Sequence, residues 1–285
     1  MDKKVVIGVG EFLWDITPMG KKAGGAPVNF AYHASDDDVE GWAVSAVGHD
    51  ELGEELLATA AGKGISLLVA KVDRPTGTVD VLLKDGQPDY RINEDVAWDY
   101  IPLTDGLLEK ASSASAVTFG TLAQRSPVSR ATTRALLKAA PDSAWKVYDI
   151  NLRQNFWSKE LIEDSLRLAN AFKINNDEME ILKGLFDFSE MDYDGIAARF
   201  IRDYGLRMVV LTAGGHYSSI YTEKGKVSKI PTPKVKVVDT IGAGDSFTGV
   251  LISGLLHGKS IPQAHESAVQ RAAYVCTQSG AWHKK

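Results

Sequence analysis

The sequence predicts an α/β protein in which helices flank a central, mostly parallel sheet. Short apolar segments of strand length alternate with longer amphipathic segments, and this alternation is typical of parallel strands joined by helical crossovers. The 285 residues, of which 44% are hydrophobic and 24% charged, suffice for a complete core. We find no repeat, low-complexity tract or linker, and we therefore expect one domain over residues 1–285.

The predicted elements follow one another in a regular order. The sequence predicts a strand at 5–9, an extended piece at 12–16, a polar loop at 17–23, a strand at 42–47, helices at 50–61 and 105–111, a strand at 116–119, a helix at 127–139, a strand at 146–150, a helix at 159–170, a strand at 172–174, helices at 177–182 and 193–203, a strand at 208–212, a hairpin at 217–221 and 227–230, and a last helix at 261–278. Parallel sheets of this class bind ligands at the carboxyl ends of their strands.

Residues 71–98 depart from this order. Extended runs at 78–83 and 87–92 flank the sequence Lys84-Asp85-Gly86, and an Asp-Gly pair between two such runs predicts a β-hairpin. The hairpin is either a lid over a binding site or an addition to the edge of the sheet. The aromatic residues Tyr90 and Trp98 have the same two interpretations, since they either cover a ligand or pack in the core.

A glycine-rich segment at residues 238–249 leads into an apolar helix that begins near Asp245. Gly242 and Gly244 allow the backbone to approach a ligand and to turn its N–H groups toward one point, and the helix N-terminus favours a phosphate group. A carboxylate at such a site repels phosphate, so Asp245 suits the removal of a proton from a hydroxyl that attacks phosphorus. The alternative is that Asp245 is a helix N-cap.

A second glycine-rich turn, Gly24-Gly25-Ala26-Pro27, opens a helix in which Asn29 lies one turn from the start. The Asn29 amide either faces a ligand or faces solvent. Asp15 follows the first strands and is either a ligand to a substrate or a turn residue. A dinucleotide-binding Gly-x-Gly-x-x-Gly motif is disfavoured here because Leu13 stands in the place of the third glycine and no helix follows directly.

Several classes of function are excluded or disfavoured. The net charge of −5 and the scattered basic residues argue against a nucleic-acid partner. There is no apolar run of about 18 residues, no signal-peptide pattern, and only one cysteine, Cys276, so we expect no membrane association and a reducing, cytoplasmic compartment. The P-loop motif and histidine pairs with metal-binding spacing are also absent from the sequence.

The two glycine-rich segments, residues 24–31 and 239–249, resemble in order and separation the paired signatures of the ribokinase-like (PfkB) carbohydrate kinases. The resemblance covers essentially the whole chain, and residues 10–15 and 148–153 are most similar to fructokinases. It implies a three-layer ribokinase-like fold with a small β lid formed by segments near 12–23 and 71–98. It also implies an ATP-dependent kinase that phosphorylates a sugar at a primary hydroxyl.

The resemblance implies roles for individual residues. Asp245 is the catalytic base, and the amides of Gly242, Ala243 and Gly244 form the anion hole for the γ-phosphoryl group. The residues implied to bind sugar are Asp15, Gly25, Asn29 and Arg153. For Arg153, a salt bridge to Asp149 is the alternative.

Nucleotide and metal ligands are implied in the same way. Thr212, Gly214 and Gly215 lie beside the nucleotide phosphates, with adenine between the following hairpin and the last helix. Asn175 and Glu178 match an Asn-x-x-Glu element associated with Mg²⁺ and its waters. Carbonyls near Asp239 and Ile241, with Val275 and Gly280, are candidates for a K⁺ site.

The leading expectation is an ATP-dependent fructokinase that makes fructose 6-phosphate with Mg²⁺ as cofactor. The alternatives are a kinase for another small polyol, such as ribose, 2-keto-3-deoxygluconate or a nucleoside, and a sugar- or nucleotide-binding relative without turnover. The expected partners are the sugar and ATP, with a homodimer through the lid as a further possibility.

Overall fold

The computed structural model describes residues 3–17, 20–84 and 87–284, with side chains outside residues 81–90. The strands are, in chain order, β1 (Lys4–Val9), β2 (Leu13–Thr17), β3 (Gly20–Gly24), β4 (Val39–Gly48), β5 (Ser66–Val72), β6 (Gly77–Lys84), β7 (Gln87–Ile92), β8 (Ala114–Phe119), β9 (Trp145–Asp149), β10 (Ala171–Asn175), β11 (Met208–Ala213), β12 (Tyr217–Thr222) and β13 (Gly225–Pro231). The helices are α1 (Ala26–Ala34), α2 (Glu51–Gly62), α3 (Asp105–Ser112), α4 (Pro127–Ala139), α5 (Lys159–Leu168), α6 (Asn176–Leu185), α7 (Tyr193–Tyr204), α8 (Ala243–Leu256) and α9 (Ile261–Val275).

Nine of these strands form one sheet in the order β13-β12-β11-β10-β9-β8-β1-β4-β5. The pairs from β11 to β5 are parallel, and β12 and β13 add antiparallel strands at one edge. This arrangement confirms the predicted class, an α/β fold with a mostly parallel sheet.

Helices cover both faces of the large sheet, which makes three layers. Ile7 belongs to an apolar cluster that includes residues of α3 to α7, whereas its neighbour Val6 belongs to a second cluster that includes Phe30 of α1 and Leu251 of α8. Successive side chains of a strand point to opposite faces, so a strand buried on both sides is apolar throughout. This explains why β1 has the continuous run Val5 to Ile7 in place of an alternating pattern.

The other four strands form a small sheet in the order β3-β2-β6-β7. The predicted hairpin is present as β6 and β7, and its turn at residues 85 and 86 lies outside the described residues. The expected lid segment 71–98 is too long, because residues 71 and 72 belong to β5 of the large sheet. Residues 97–100 form a short 3₁₀ turn in which Trp98 is fully buried, so Trp98 packs in the core and does not cover a ligand.

Two elements differ from the prediction because pairing overrides local preference. The predicted polar loop at 17–23 is wrong, since residues 20–24 form β3 and pair with β2 from Leu13↔Gly24 to Thr17↔Gly20. The composition of β3, with two glycines and two lysines, is that of a loop, but an edge strand tolerates it because one side of its backbone faces solvent. Strand β5 was not predicted, and the last helix ends at Val275.

Close packing of α1 against α8 brings the two glycine-rich segments together. A Cβ atom added to Gly249 of α8 would lie 2.9 Å from the carbonyl oxygen of Phe30 and 2.9 Å from the amide nitrogen of Ala34, both in α1. Only glycine allows the two helix backbones to approach this closely.

In the described part of the chain, no helix is long and apolar enough to span a bilayer.

We expect Gly249→Ala to lower the free energy of unfolding by about 1–3 kcal/mol, because the added methyl group forces α1 and α8 apart. The measurement is urea denaturation of the two proteins. The matched control is Gly184→Ala in α6, where an added Cβ meets no atom within 4 Å, and this variant should be stabilised by up to about 1 kcal/mol through helix propensity. Equal stability of Gly249→Ala and the unmodified protein would contradict the packing argument.

Candidate active site

Asp245 lies in the first turn of α8, whose N-cap is Gly242. Its partly buried carboxylate accepts a hydrogen bond from the amide nitrogen of Asn29 in α1, at 2.8 Å. The interpretation of Asp245 as the helix N-cap is therefore wrong. Gly242 has a φ of 75°, and a Cβ atom there would lie 2.4 Å from the Cβ of Ala281, so only glycine fits this position.

The amides at the start of α8 are the candidate anion site. Among the described residues, those of Gly242 and Gly244 donate to no acceptor, whereas the amide of Ala243 donates to the carbonyl of Thr240 at 3.2 Å. Of the three amides expected to form the anion hole, Ala243 is thus engaged within the turn. The helix dipole and the two unpaired N–H groups still favour an anion at this place.

Sequence reasoning missed Lys173, which extends from β10 toward the same turn. It is 8% exposed, and its ammonium nitrogen lies 2.7 Å from Oδ2 of Asp149 at the end of β9. A Cβ atom added to Gly244 would lie 3.3 Å from this nitrogen, so the charge is adjacent to the unpaired amides. Burial lowers the pKa of Lys173, but the charge and hydrogen bonds of Asp149, together with the charges of Asp245 and Glu178, outweigh burial and hold the pKa above its ordinary value.

The surroundings of Asp245 bring the pKa of its carboxyl group close to neutral pH. Burial raises its pKa to about 6, and the negative charge of Asp149 acts in the same direction. The hydrogen bond from Asn29 and the positive charges of Lys173 and Arg153 oppose this rise. A carboxylate with a pKa near the working pH suits general base catalysis.

Glu11, two residues after the end of β1, is a second residue that sequence reasoning missed, although it lies within the segment 10–15. Its carboxyl group is 6% exposed and accepts a hydrogen bond from the amide of Ala26 at 3.3 Å. Burial raises its pKa to about 7. With Asp149 and Asp245 it lines a cavity of about 20 Å³, which is room for one water molecule.

Two of the expected sugar ligands act on Asp245, since Asn29 donates a hydrogen bond to it and the charge of Arg153 acts on both Asp245 and Asp15. The pKa of Asp15 is raised to about 6 by burial and by the negative charge of Asp239, against the positive charges of Lys22 and Arg153. Arg153 is exposed and donates to the carbonyl of Leu152. The predicted alternative, a salt bridge from Arg153 to Asp149, is wrong because Lys173 occupies that carboxylate.

Asn29 and Gly25 have structural duties in this arrangement. Asn29 is 3% exposed, and besides its bond to Asp245 its oxygen accepts the indole N–H of Trp282 at 2.8 Å, so the solvent-facing alternative is wrong. Gly25 caps α1 with a φ of 125°, and a Cβ atom there would lie 2.2 Å from the carbonyl oxygen of Glu11. The side chain of Tyr90 lies outside the described side chains.

Asn175 and Glu178 form a capping box at the start of α6. Each donates its backbone N–H to the side chain of the other at 2.9 Å, and the second carboxylate oxygen of Glu178 accepts the amide of Leu152, also at 2.9 Å. Both oxygens are therefore held by amides, and the described residues include no group of three or more acidic, histidine or cysteine side chains that could hold a metal. The remaining lone pairs fit waters of a nucleotide-bound Mg²⁺ better than direct ligation.

The expected nucleotide residues lie at the end of β11 and in the turn that follows it. Thr212 is the penultimate residue of this strand, and Gly214 and Gly215 form an exposed turn in which the carbonyl of Gly214 accepts the hydroxyl of Thr232 at 2.8 Å. The segment between Thr232 and the start of α8 exposes aliphatic side chains that sequence reasoning did not single out. They are Val235, Val237 and Val238, which are 38%, 58% and 61% exposed.

Asp239 precedes the anion site and is closely engaged. Its Oδ1 accepts the amide of Ile241 at 3.0 Å, and its Oδ2 accepts the amide of Gly280 at 3.0 Å and the ammonium of Lys22 at 2.8 Å. Lys22 belongs to β3 of the small sheet. This ion pair therefore connects the small sheet to the turn that carries the unpaired amides.

Comparison with known proteins gives a consistent result. The profile of the pfkB family carbohydrate kinases matches residues 15–284. An uncharacterized sugar kinase from Pyrococcus horikoshii is 27% identical over 280 residues, which cover 95% of this chain and 86% of that protein. A fructokinase from Rhizobium leguminosarum bv. trifolii is 26% identical, with coverage of 98% and 90%, and a 5-dehydro-2-deoxygluconokinase from Clostridium perfringens is 24% identical, with coverage of 89% and 78%.

Solved structures agree with these sequence matches. The crystal structure of the Pyrococcus horikoshii sugar kinase in complex with ATP matches with a TM-score of 0.79 at 25% identity, over 98% of this chain and 94% of that one. A fructokinase with bound ATP from Xylella fastidiosa matches with a TM-score of 0.81 at 21% identity, over the same shares of the two chains. The ribokinase-like fold implied by the sequence is therefore confirmed.

We expect Glu11→Gln to stabilise the protein at pH 8 but not at pH 4. A carboxyl group whose pKa rises on folding from 4.5 to about 7 favours the folded state below pH 4.5 and loses that contribution as the pH rises to about 7. Glutamine carries no charge at any pH and still accepts the Ala26 amide. Urea denaturation should show a gain of about 1–3 kcal/mol at pH 8 that disappears at pH 4.

The control for this experiment is Glu190→Gln, which alters an exposed carboxylate in the turn between α6 and α7. It should leave the free energy of unfolding within about 0.5 kcal/mol of the unmodified protein at both pH values. If Glu11→Gln is equally destabilised at both pH values, the prediction that burial of the Glu11 charge lowers stability at pH 8 is wrong.

Proposed function

Because the chain belongs to the pfkB family of carbohydrate kinases, we propose that it transfers the γ-phosphoryl group of ATP to a primary hydroxyl of a small sugar, and that this sugar is D-fructose. The observation that carries the proposal is the placement of the Asp245 carboxylate beside the unpaired amides of Gly242 and Gly244. A base and an anion site in one small volume are what phosphoryl transfer to an alcohol requires.

Asp245 acts as the general base. As the sugar hydroxyl attacks phosphorus, the carboxylate takes its proton, and Asn29 holds the carboxylate in place through their hydrogen bond. A pKa of about 6 leaves the group mostly ionised at neutral pH while keeping it basic enough to accept the proton. A positioned base of this kind contributes roughly 10²–10⁴ to the rate.

The charge on the transferring group is stabilised by three sources. The amides of Gly242 and Gly244 donate to its oxygens, the N-terminus of α8 contributes its dipole, and the buried ammonium of Lys173 adds a full positive charge from the side of β10. The ion pair with Asp149 keeps Lys173 protonated and oriented. Preorganised donors stabilise the developing charge without having to reorganise during the reaction.

Substrate binding divides between the two sides of the site. Asp15, Gly25, Asn29 and Arg153 bind the sugar hydroxyls, and Thr212, Gly214 and Gly215 lie along the nucleotide phosphates. The exposed aliphatic segment that precedes α8 provides an apolar surface for adenine next to α9. Asn175 and Glu178 hold waters of the Mg²⁺ that neutralises the nucleotide phosphates when it is bound.

The small sheet serves as the lid. Asp15 lies on β2 of this sheet, so a movement of the sheet over the sugar changes how much water reaches Asp245. In the described chain, β3 and β7 are its edge strands, and an exposed edge is a surface for pairing with a second copy. Light scattering after size-exclusion chromatography measures whether a homodimer forms.

An acidic sugar is the second candidate substrate. Arg153 makes no ion pair with a carboxylate among the described residues, and its charge acts on Glu11, Asp15 and Asp245. A guanidinium group in this position suits the carboxylate of a sugar acid. One of the relatives is a 5-dehydro-2-deoxygluconokinase, which is consistent with this candidate.

Coupled detection of ADP release over a panel of acceptors tests the choice of substrate. The panel comprises fructose, ribose, 2-keto-3-deoxygluconate, 5-dehydro-2-deoxygluconate and a nucleoside, each with MgATP. We expect fructose to have the highest kcat/KM. A higher value for a sugar acid transfers the proposal to the second candidate, and no ADP release with any acceptor indicates a binding protein without turnover.

We expect Asp245→Asn to lower kcat at least about 100-fold, because asparagine keeps the hydrogen bond to Asn29 but cannot take a proton. Steady-state ADP release measures the effect. The control is Asp105→Asn, which removes an exposed acid from the first turn of α3 and should leave kcat unchanged. Near-normal turnover of Asp245→Asn would eliminate Asp245 as the base.

A further inference from the structure

The carboxylate of Asp239 has a positively charged partner within the chain itself, the ammonium group of Lys22. Three groups donate to this carboxylate, and two of them are the neutral amides of Ile241 and Gly280. The third is the ammonium of Lys22, which is the charged partner of Asp239 in the ion pair at 2.8 Å. The side chain of Asp239 is 12% exposed, so solvent contributes little to balancing its charge.

The resemblance to the PfkB kinases implies a K⁺ ion at Asp239 and Ile241, and the geometry does not fit one. A carboxylate has about four lone-pair directions, and in Asp239 three of them accept hydrogen bonds. The carbonyl of Val275 accepts the amide of Gln278 and that of Cys276 accepts those of Val238 and Asp239, whereas the carbonyls of Ile241 and Gly280 accept no hydrogen bond among the described residues. A second cation beside the ammonium would be repelled by it.

We propose that Lys22 supplies the single positive charge that the resemblance assigns to K⁺, so that this protein works without a monovalent metal ion. The ammonium group and K⁺ carry the same charge, and both bind carboxylate oxygens. The pKa of Asp239 is consistent with this role: burial raises it, but the hydrogen bonds from Lys22, Ile241 and Gly280 outweigh burial and hold the pKa below its ordinary value.

Unlike a metal ion, this cation is part of the chain, so its position depends on the strand that carries it. Lys22 lies on β3, directly opposite Asp15 of β2 in the strand register. Asp239 leads into Thr240 and Ile241, after which Gly242 contributes one of the unpaired amides. The ion pair therefore links β3, the strand paired with that of the proposed sugar ligand Asp15, to the turn that leads into the proposed phosphate site, and it makes Lys22 a positioning residue.

The test compares turnover of the unmodified protein, Lys22→Met and Lys21→Met in choline chloride and in KCl at equal ionic strength. The turnover measurement rests on the proposed function. We expect K⁺ to change kcat of the unmodified protein by less than about 2-fold. Lys22→Met should lose activity in choline chloride, and KCl should raise its kcat at least about 5-fold. Effects of this size are typical of coupled sites. Lys21, the neighbouring lysine, pairs with Glu55, so Lys21→Met should behave as the unmodified protein.

Thermal unfolding gives a readout that does not depend on the choice of sugar. A ligand that binds only the folded state raises Tm, so KCl should raise the Tm of Lys22→Met and leave that of the unmodified protein unchanged relative to choline chloride. If no sugar is phosphorylated, the proposed function fails while this measurement still decides the role of Lys22.

Two results would overturn the inference. One is activation or thermal stabilisation of the unmodified protein by K⁺ over choline, a measurement that stands even if Lys22→Met does not fold. The other is a folded Lys22→Met variant that K⁺ affects in neither readout, because the charge of Lys22 would then not be one that K⁺ replaces.

Discussion

Asn29 and Asp245 are 216 positions apart in the chain, and one hydrogen bond joins them. The surrounding structure is arranged so that this bond can form. Gly249 allows α1 and α8 to pack backbone to backbone, and Gly242 turns the chain so that α8 begins beside Asn29. Trp282 fixes the other end of the Asn29 amide, which leaves that side chain one orientation. The position of the Asp245 carboxylate, the proposed base, is thus determined by packing between two helices.

The electrostatics of the site follow from where this packing places the acids. Glu11, Asp149 and Asp245 line one small cavity, and only Asp149 has a buried cation as its partner. The other two carboxyl groups have raised pKa values because burial penalises their charged forms. Burial of these two groups costs stability at neutral pH, and it gives the proposed base, Asp245, a pKa close to neutral pH.

The small sheet is tied to this site by charge as well as by the chain. Lys22 reaches from an edge strand to Asp239, and Asp15 on the adjacent strand is influenced by both groups. The proposed sugar ligand Asp15 and the turn that leads into the proposed phosphate site consequently share one electrostatic network. A change in the position of the small sheet alters the charge balance at Asp239 and at Asp15 together.

The sequence by itself determined the alternation of strands and helices, the hairpin, and the two glycine-rich turns with Asn29 and Asp245, because periodicity and glycine geometry act over a few residues. It did not reveal β3, whose loop-like composition becomes a strand only by pairing with β2. It also did not reveal the pairs Lys173–Asp149 and Lys22–Asp239 or the burial of Glu11. Only the tertiary structure decided these, since an ion pair or a buried charge depends on which distant segments meet, and local preference contains no such information.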